Sequence, residues 1–341
     1  MTFDETKHNR AGDGRFANKP HAEAEGVSLG GPFSPRRHVV EGVGERWETP
    51  VGNVLHRDGD LPAVIHEDGT QAWFKYGQLH RSGDLPAVVG VDGTQVWMRD
   101  GKRHRDGDRP AYVGANGAKE WWVDGVEHRE GAPAVVSADG EIWYDHGKKH
   151  RVGGPALTTV TGQTEWYLHG ELHREDGPAI TRPDGSQEWY LHDQLHREDG
   201  PAIIHSDGAK EWYLHGERHR EDGPAVIGAD AESMAWLRNG KHHREDGPAI
   251  IHSDGAKEWY FEGVRHREDG PAVIGKDGSQ AWLRNGKPHR GDGPAVVMAD
   301  GAKHWYKDGK RHRVDGPAII EADGTEHWWI NGERQLGPHK N

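Results

Sequence analysis

The pair His-Arg recurs twelve times, beginning at His56, His80, His104, His128, His150, His173, His196, His219, His243, His266, His289 and His312. Each pair is followed five or six residues later by Pro-Ala, from Pro62-Ala63 to Pro317-Ala318, and all but the first stand seven residues after a Trp. The unit returns every 22 to 24 residues, the mark of a repeat array in which each unit buries a face on its neighbours. That period overrides the expectation of about two globular domains that the length of 341 residues would otherwise raise.

Composition agrees with a thin array. Hydrophobic residues make up only 33% and the mean hydropathy is -0.95, yet the apolar groups sit at fixed repeat positions. Fifteen Trp argue against a disordered chain. The net charge of -13 disfavours nucleic acid and anionic membranes as partners, because both are polyanions that need cationic groups. There is no Cys, so disulfides and thiolate metal sites are excluded. No apolar run approaches a membrane span, and residues 1–30 have no signal-peptide core, so the expected setting is cytoplasmic.

The unit beginning at Pro201 shows the local grammar. Pro201 to His205 is a short β-rich run, Ser206-Asp207-Gly208 a turn, and Ala209 to Leu214 a second run carrying Trp212 and Tyr213. Asp-Gly between two such runs predicts a hairpin with a primed turn. His215-Gly216 makes another turn, and Gly223 is expected to allow the reversal into Pro224. Apolar residues at successive positions (Ile203-Ile204, Trp212-Tyr213) place such groups on both faces of a strand. Trp is expected to stack on Trp along one face. The other is left for the His-Arg turns, a partner or a second copy of the array.

The predicted fold is therefore all-β: an elongated single-layer twisted antiparallel sheet of about twelve stacked hairpins, on the order of 110 Å long. Residues 1–40 read as a flexible tail and 41–341 as the array, with irregular caps at Trp47 and at Trp328-Trp329, after which Gln335-Leu336 replaces His-Arg. Two segments, His196 to Lys241 and His243 to Lys287, are nearly the same text, as if a two-repeat block had been duplicated.

The pattern Trp-Tyr-x-x-Gly-x-x-His, with a Gly turn and then Asp-Gly before the next aromatic, resembles the MORN repeat, especially its bacterial variants, from Trp47 to Gly337. It departs from the family where His-Arg-(Glu)-Asp-Gly-Pro-Ala stands in place of His-Gly-x-Gly. The resemblance implies stacked hairpins and a scaffold role, with lipid binding in some eukaryotic members and antitoxin labels on some bacterial ones. The leader, through Lys7-His8-Asn9-Arg10, Gly14-Arg15-Phe16 and Glu23-Ala24-Glu25, resembles leaders of phage and mobile-element proteins.

The candidate binding column is His173-Arg174, His196-Arg197, His219-Arg220, His243-Arg244 and His266-Arg267. A metal is not expected: equivalent His on neighbouring rungs lie about 9 to 10 Å apart, whereas a Zn–N bond is about 2 Å. The Asp-Gly pairs lack the spacing of a calcium loop. No catalytic residue and no cofactor is expected, since a catalytic group should be singular and these are duplicated. Arg197, Glu198 and Asp199 are expected to interleave with Arg220, Glu221 and Asp222 of the next unit as a charge ladder. The function expected is a non-catalytic scaffold binding a protein along a repetitive face, in a phage or mobile-element setting that sequesters a host factor. A carbohydrate- or lipid-binding aromatic array, an acidic mimic of nucleic acid, and self-association are the alternatives.

Overall fold

The computed structural model describes residues 34–337, and no residue among them is helical. The chain divides into two compact units, Met1–Gln78 and Leu79–Asn341. In the first, Arg36–Val40 pairs antiparallel with Gly44–Glu48, which pairs with Val64–Ile65, which pairs with Gln71–Ala72. The tail read as 1–40 lies outside the described residues as far as 33; its last five residues form the outer strand of this capping hairpin. Val39 and Val40 follow two Arg and a His there, enough β-forming character to take up the free edge of Gly44–Glu48.

In the second unit each strand of the long sheet pairs antiparallel with the next strand of that sheet, from Val88–Val89 and Gln95–Val96, which pairs on with Tyr112–Val113, to Ile319–Ile320, Glu326–Ile330 and Glu333–Gln335. Around Pro201, Ile203 faces Glu211 and Ile204 faces Lys210 within the hairpin, and Lys210 then faces Ile227 of the next unit. Two strands per repeat thus enter one continuous sheet.

The turn chemistry differs from the primed turn expected at Asp-Gly. Gly208 N–H donates to the His205 carbonyl at 3.0 Å and His205 N–H to the Ala209 carbonyl at 2.9 Å. Only Gly208 takes a positive φ, +91°, so this is a type I turn closed by a bulge glycine. Asp207 serves it by accepting the Ala209 N–H at 3.0 Å. The primed turn comes one loop later. His215 and Gly216, at φ 50° and 80°, join Tyr213–Leu214 to Glu217–Arg218 in a separate two-stranded hairpin.

The second run of each repeat is therefore divided at its Trp. Lys210–Glu211 belongs to the long sheet, Tyr213–Leu214 to the side hairpin, and Trp212 is the corner between them. Its N–H donates to Ala225 of the next repeat at 2.8 Å, and its carbonyl accepts from His219 N–H at 3.0 Å. In the end units the strands Gly44–Glu48 and Glu326–Ile330 run through their Trp residues unbroken, although Trp47 keeps the same two bonds, to the Ala63 carbonyl at 2.8 Å and from the His56 N–H at 3.0 Å.

The core is built from small groups. The Ala after each Pro, from Ala63 to Ala318, has no exposed surface, while no large side chain is fully buried among the described residues. Any side chain beyond a methyl at this position must displace the neighbouring rungs. Ala202→Leu is expected to destabilise by about 1–3 kcal/mol, measured as a lowered urea midpoint beside Thr158→Leu on the same sheet as a reference.

Candidate functional site

Twelve times over, the column His does the same thing. Its Nδ1 accepts the backbone N–H of the first residue of the next repeat's primed turn: His215 to His196 at 3.2 Å, Asn239 to His219 at 3.3 Å, Glu262 to His243 at 3.2 Å, and so at every pair from Tyr76 and His56 to Asn331 and His312. These donors are the non-glycine residues held at φ of about 50°, a conformation uncommon outside glycine. The next residue, Gly216, donates to the Leu195 carbonyl at 2.9 Å. Each hairpin tip is thus bolted to the previous repeat by two adjacent amides. In one repeat Asp193 replaces the Gly, and its carboxylate accepts the Leu172 N–H at 2.7 Å in return.

An Nδ1 that accepts an N–H must be unprotonated, so the ring carries its hydrogen on Nε2 and its lone pair is taken. Tip residues then cover the ring. His146, His169, His192 and His215 lie with ring centroids 4.2 to 4.6 Å from His128, His150, His173 and His196. The 9 to 10 Å spacing of like His on successive rungs therefore misses these closer pairs between unlike positions. His128, Asp145 and His146 offer ligand atoms within 4.8 Å of one another. Their contacts are already made: Asp145 bonds His146 Nδ1 at 2.6 Å, and His128 Nδ1 accepts the His146 amide at 3.2 Å.

The column Arg is held on several sides as well. The Arg197 guanidinium lies 4.1 Å over the Trp189 ring, its NH1 donates to the Pro201 carbonyl at 3.2 Å, and its Nε donates to Asp199 at 2.9 Å. A Cβ on Gly200 would meet Arg197 Cζ at 2.9 Å. The glycine before Pro gives room beside the guanidinium, and Gly223, with the same relation to Arg220, takes no positive φ; where Ala132 stands in its place, Arg129 still lies 3.7 Å over Trp121 and pairs instead with Asp108 of the preceding turn. Stacking falls to Arg on Trp within a repeat, where Trp on Trp was expected. The same sandwich holds Arg174, Arg220, Arg244 and Arg267 at 3.9 to 4.2 Å from their rings.

The expected charge ladder between repeats is not how these ions pair. From Arg174 onward the carboxylate partner stands two residues along in the same turn, as in Arg220–Asp222 at 2.9 Å. Where the preceding turn is one of the longer early ones, the Arg reaches back into it, Arg105 to Asp84 and Arg129 to Asp108. The guanidinium's hydrogen bond keeps the Asp199 carboxyl below its usual range.

The residues chosen from sequence therefore sit beneath the surface and their neighbours stand on it. In one rung the His196 side chain is 11% exposed and Arg197 23%, whereas Glu198 is 85% exposed and Asp199 84%. Glu175, Glu221, Glu245 and Glu268 repeat that exposure. The sequence pattern places Glu198 and Glu221 in a charge ladder and leaves them out of the binding column; the signal that marks them as outward is variation, since Arg follows His in all twelve units and Glu follows Arg in only six.

A second set of half-buried groups lies along the long sheet. Glu211 accepts bonds from Tyr213 at 2.9 Å and Arg218 at 2.9 Å and contacts His205 Nε2 at 3.1 Å. Burial opposes its ionisation, but these bonds outweigh burial and hold its pKa below the ordinary value. Burial and the bond to Glu188 push the Tyr190 hydroxyl up to about 12. The cluster returns as Glu258, Tyr260, Arg265 and His252 in the duplicated block, with the spread of a structural feature.

No family model matches this chain, and no curated protein matches it. The fold itself is that of a tandem β-hairpin repeat protein. Among the described residues, no helix is long and apolar enough to cross a membrane.

Two outcomes follow from the rung. Gly200→Val, a larger side chain than the Ala132 that the fold accommodates at the corresponding place, should drive Arg197 off Trp189, weakening the near-ultraviolet signal of the Trp set and destabilising by about 1–3 kcal/mol; an unchanged signal and midpoint would refute the sandwich. The second concerns His196, whose pKa is lowered by burial and by His215, against the opposing charge of Glu198. Its folded value lies below the unfolded value of about 6.5, so its contribution to stability is complete above that pH and is lost as pH falls towards the folded value. NMR titration should place its midpoint below 6.5, and His215→Asn should raise it.

Proposed function

We propose that this chain is a non-catalytic scaffold that binds a protein partner along a repeated face, and that the Glu-Asp pairs of successive rungs make the contact. The observation that carries this reading is the exposure of the same acidic pair on rung after rung, while His and Arg of each rung are engaged inside the fold. A regular row of like groups favours multivalent contact, in which weak rungs add up to avidity. Groups that recur in every unit give no centre at which one reaction would be concentrated.

The resemblance to MORN repeats, whose members act mainly as scaffolds, supports the same reading. The leader text adds a setting in a phage or mobile element, with a cytoplasmic host factor as the protein sequestered. Arg covers the Trp rings, which leaves less aromatic surface for a sugar or lipid than the sequence implies. As a mimic of nucleic acid the row is coarse: rungs recur about every 9 to 10 Å, against one phosphate per about 3.4 Å of helix axis on each DNA strand.

The test is a capture from host-like lysate with the native protein beside a version carrying E175Q, E198Q, E221Q, E245Q and E268Q. These glutamates carry no close hydrogen bond of the fold, so both proteins should show the same near-ultraviolet Trp signal. A protein captured by the native chain and lost from the Gln version is the expected result. Capture of the same protein by both would remove the acidic row from the interface, and failure of either to capture one would shift the reading to glycan and liposome panels.

A further inference from the structure

Between rungs of the second unit run grooves, three of them built the same way, while a fourth has Gly291 in place of one wall glutamate and Arg284 beside its Trp282. One is walled by Glu175-Asp176 and Glu198-Asp199, with Trp189 and Leu191 on its floor. The next shares a wall, Glu198-Asp199, and has Glu221-Asp222 opposite, over Trp212 and Leu214. A third is walled by Glu245-Asp246 and Glu268-Asp269, over Trp259 and Phe261. Because the Asp of each wall is paired with its own Arg, the Glu is the surplus charge, one negative charge on each of the five rungs that carry Glu175, Glu198, Glu221, Glu245 and Glu268. Beneath one wall the ring of His243, more than nine-tenths buried, turns an Nε2 without a hydrogen-bond partner towards Glu245, 3.6 Å away.

We infer that these grooves take a proline-rich basic segment in the polyproline II conformation, with Arg or Lys at every third residue. This rests on the scaffold reading above and names its partner. Three constraints select the occupant. One surplus negative charge per rung asks for one positive charge per rung. Rungs recur about every 9 to 10 Å, two sheet spacings, and three residues of polyproline II advance about 9.3 Å while returning to the same face. A β-strand returns to the same face every two residues, about 6.6 Å, and falls out of step at the second rung. Beside the Arg-covered Trp rings, Leu191, Leu214 and Phe261 supply the apolar floor that proline rings pack against.

Calorimetry on the full chain tests the register directly. One probe is a peptide of about six Pro-Pro-Arg triplets; the other has the same composition with its arginines in one block. The triplet peptide is expected to bind at least about tenfold more tightly than the blocked one, to weaken with added salt, and to lose its binding to the five-fold Gln version. Equal affinity for the two peptides, or unchanged binding to the Gln version, overturns the inference. If the triplet peptide does not bind while a lysate protein is still lost on Glu→Gln substitution, the scaffold reading stands and this occupant is wrong; if both experiments fail, both fall.

Discussion

The bond on which the rest of the array depends is the one from a left-handed backbone amide to an imidazole nitrogen of the preceding repeat. Two strands of two residues cannot hold a hairpin together alone. A non-glycine residue at φ near 50° adds strain of its own. The His Nδ1 resolves both difficulties by giving the strained residue's N–H a directed acceptor in an adjacent unit. Conformation at the tip and adhesion between repeats are therefore one interaction, and neither is available to an isolated unit.

The enclosed guanidinium explains the remainder of the motif. Arg over Trp gains a cation–π contact of about 0.5–2 kcal/mol in a partly desolvated place, the Pro carbonyl and Asp carboxylate complete its hydrogen bonds, and Gly leaves the space it occupies. Ala follows because its methyl is sealed between rungs. In His-Arg-Glu-Asp-Gly-Pro-Ala, Glu is then the residue to which the fold assigns least, which is why function is sought there.

Much of this was legible in the sequence. The period, the hairpins and the pairing of neighbours in one antiparallel sheet follow from the spacing of His, Trp, Gly and Pro. Less legible was the direction of each side chain. The text distinguishes Arg197, folded back over Trp189, from Glu198 beside it only by their recurrence, since Arg follows His in all twelve units and Glu follows Arg in six; long-range geometry, namely the corner at each Trp, decides which of them points inward. The turn type at Asp207-Gly208 was misassigned for a related reason: Asp-Gly serves both a primed turn and a type I turn with a bulge, and the hydrogen bonds of the flanking strands choose between them. The charge ladder failed because a carboxylate two residues away in the same turn is nearer than any on the next rung.

The near-duplicate text of residues 196–241 and 243–287 means that a segment can find a neighbour almost as good as its own two rungs away. Sequences that repeat perfectly invite misalignment while folding, because a slipped pairing satisfies most of the same bonds. The irregular rungs then act as punctuation. The turn from Gly228 to Ser233 holds an extra residue, with Ala231 at φ 56°, Asp193 stands where its counterparts have Gly, and the first turns are a residue longer. Each breaks translational symmetry at one place, so a chain displaced by a block meets a mismatch within a few rungs and is returned to its proper alignment.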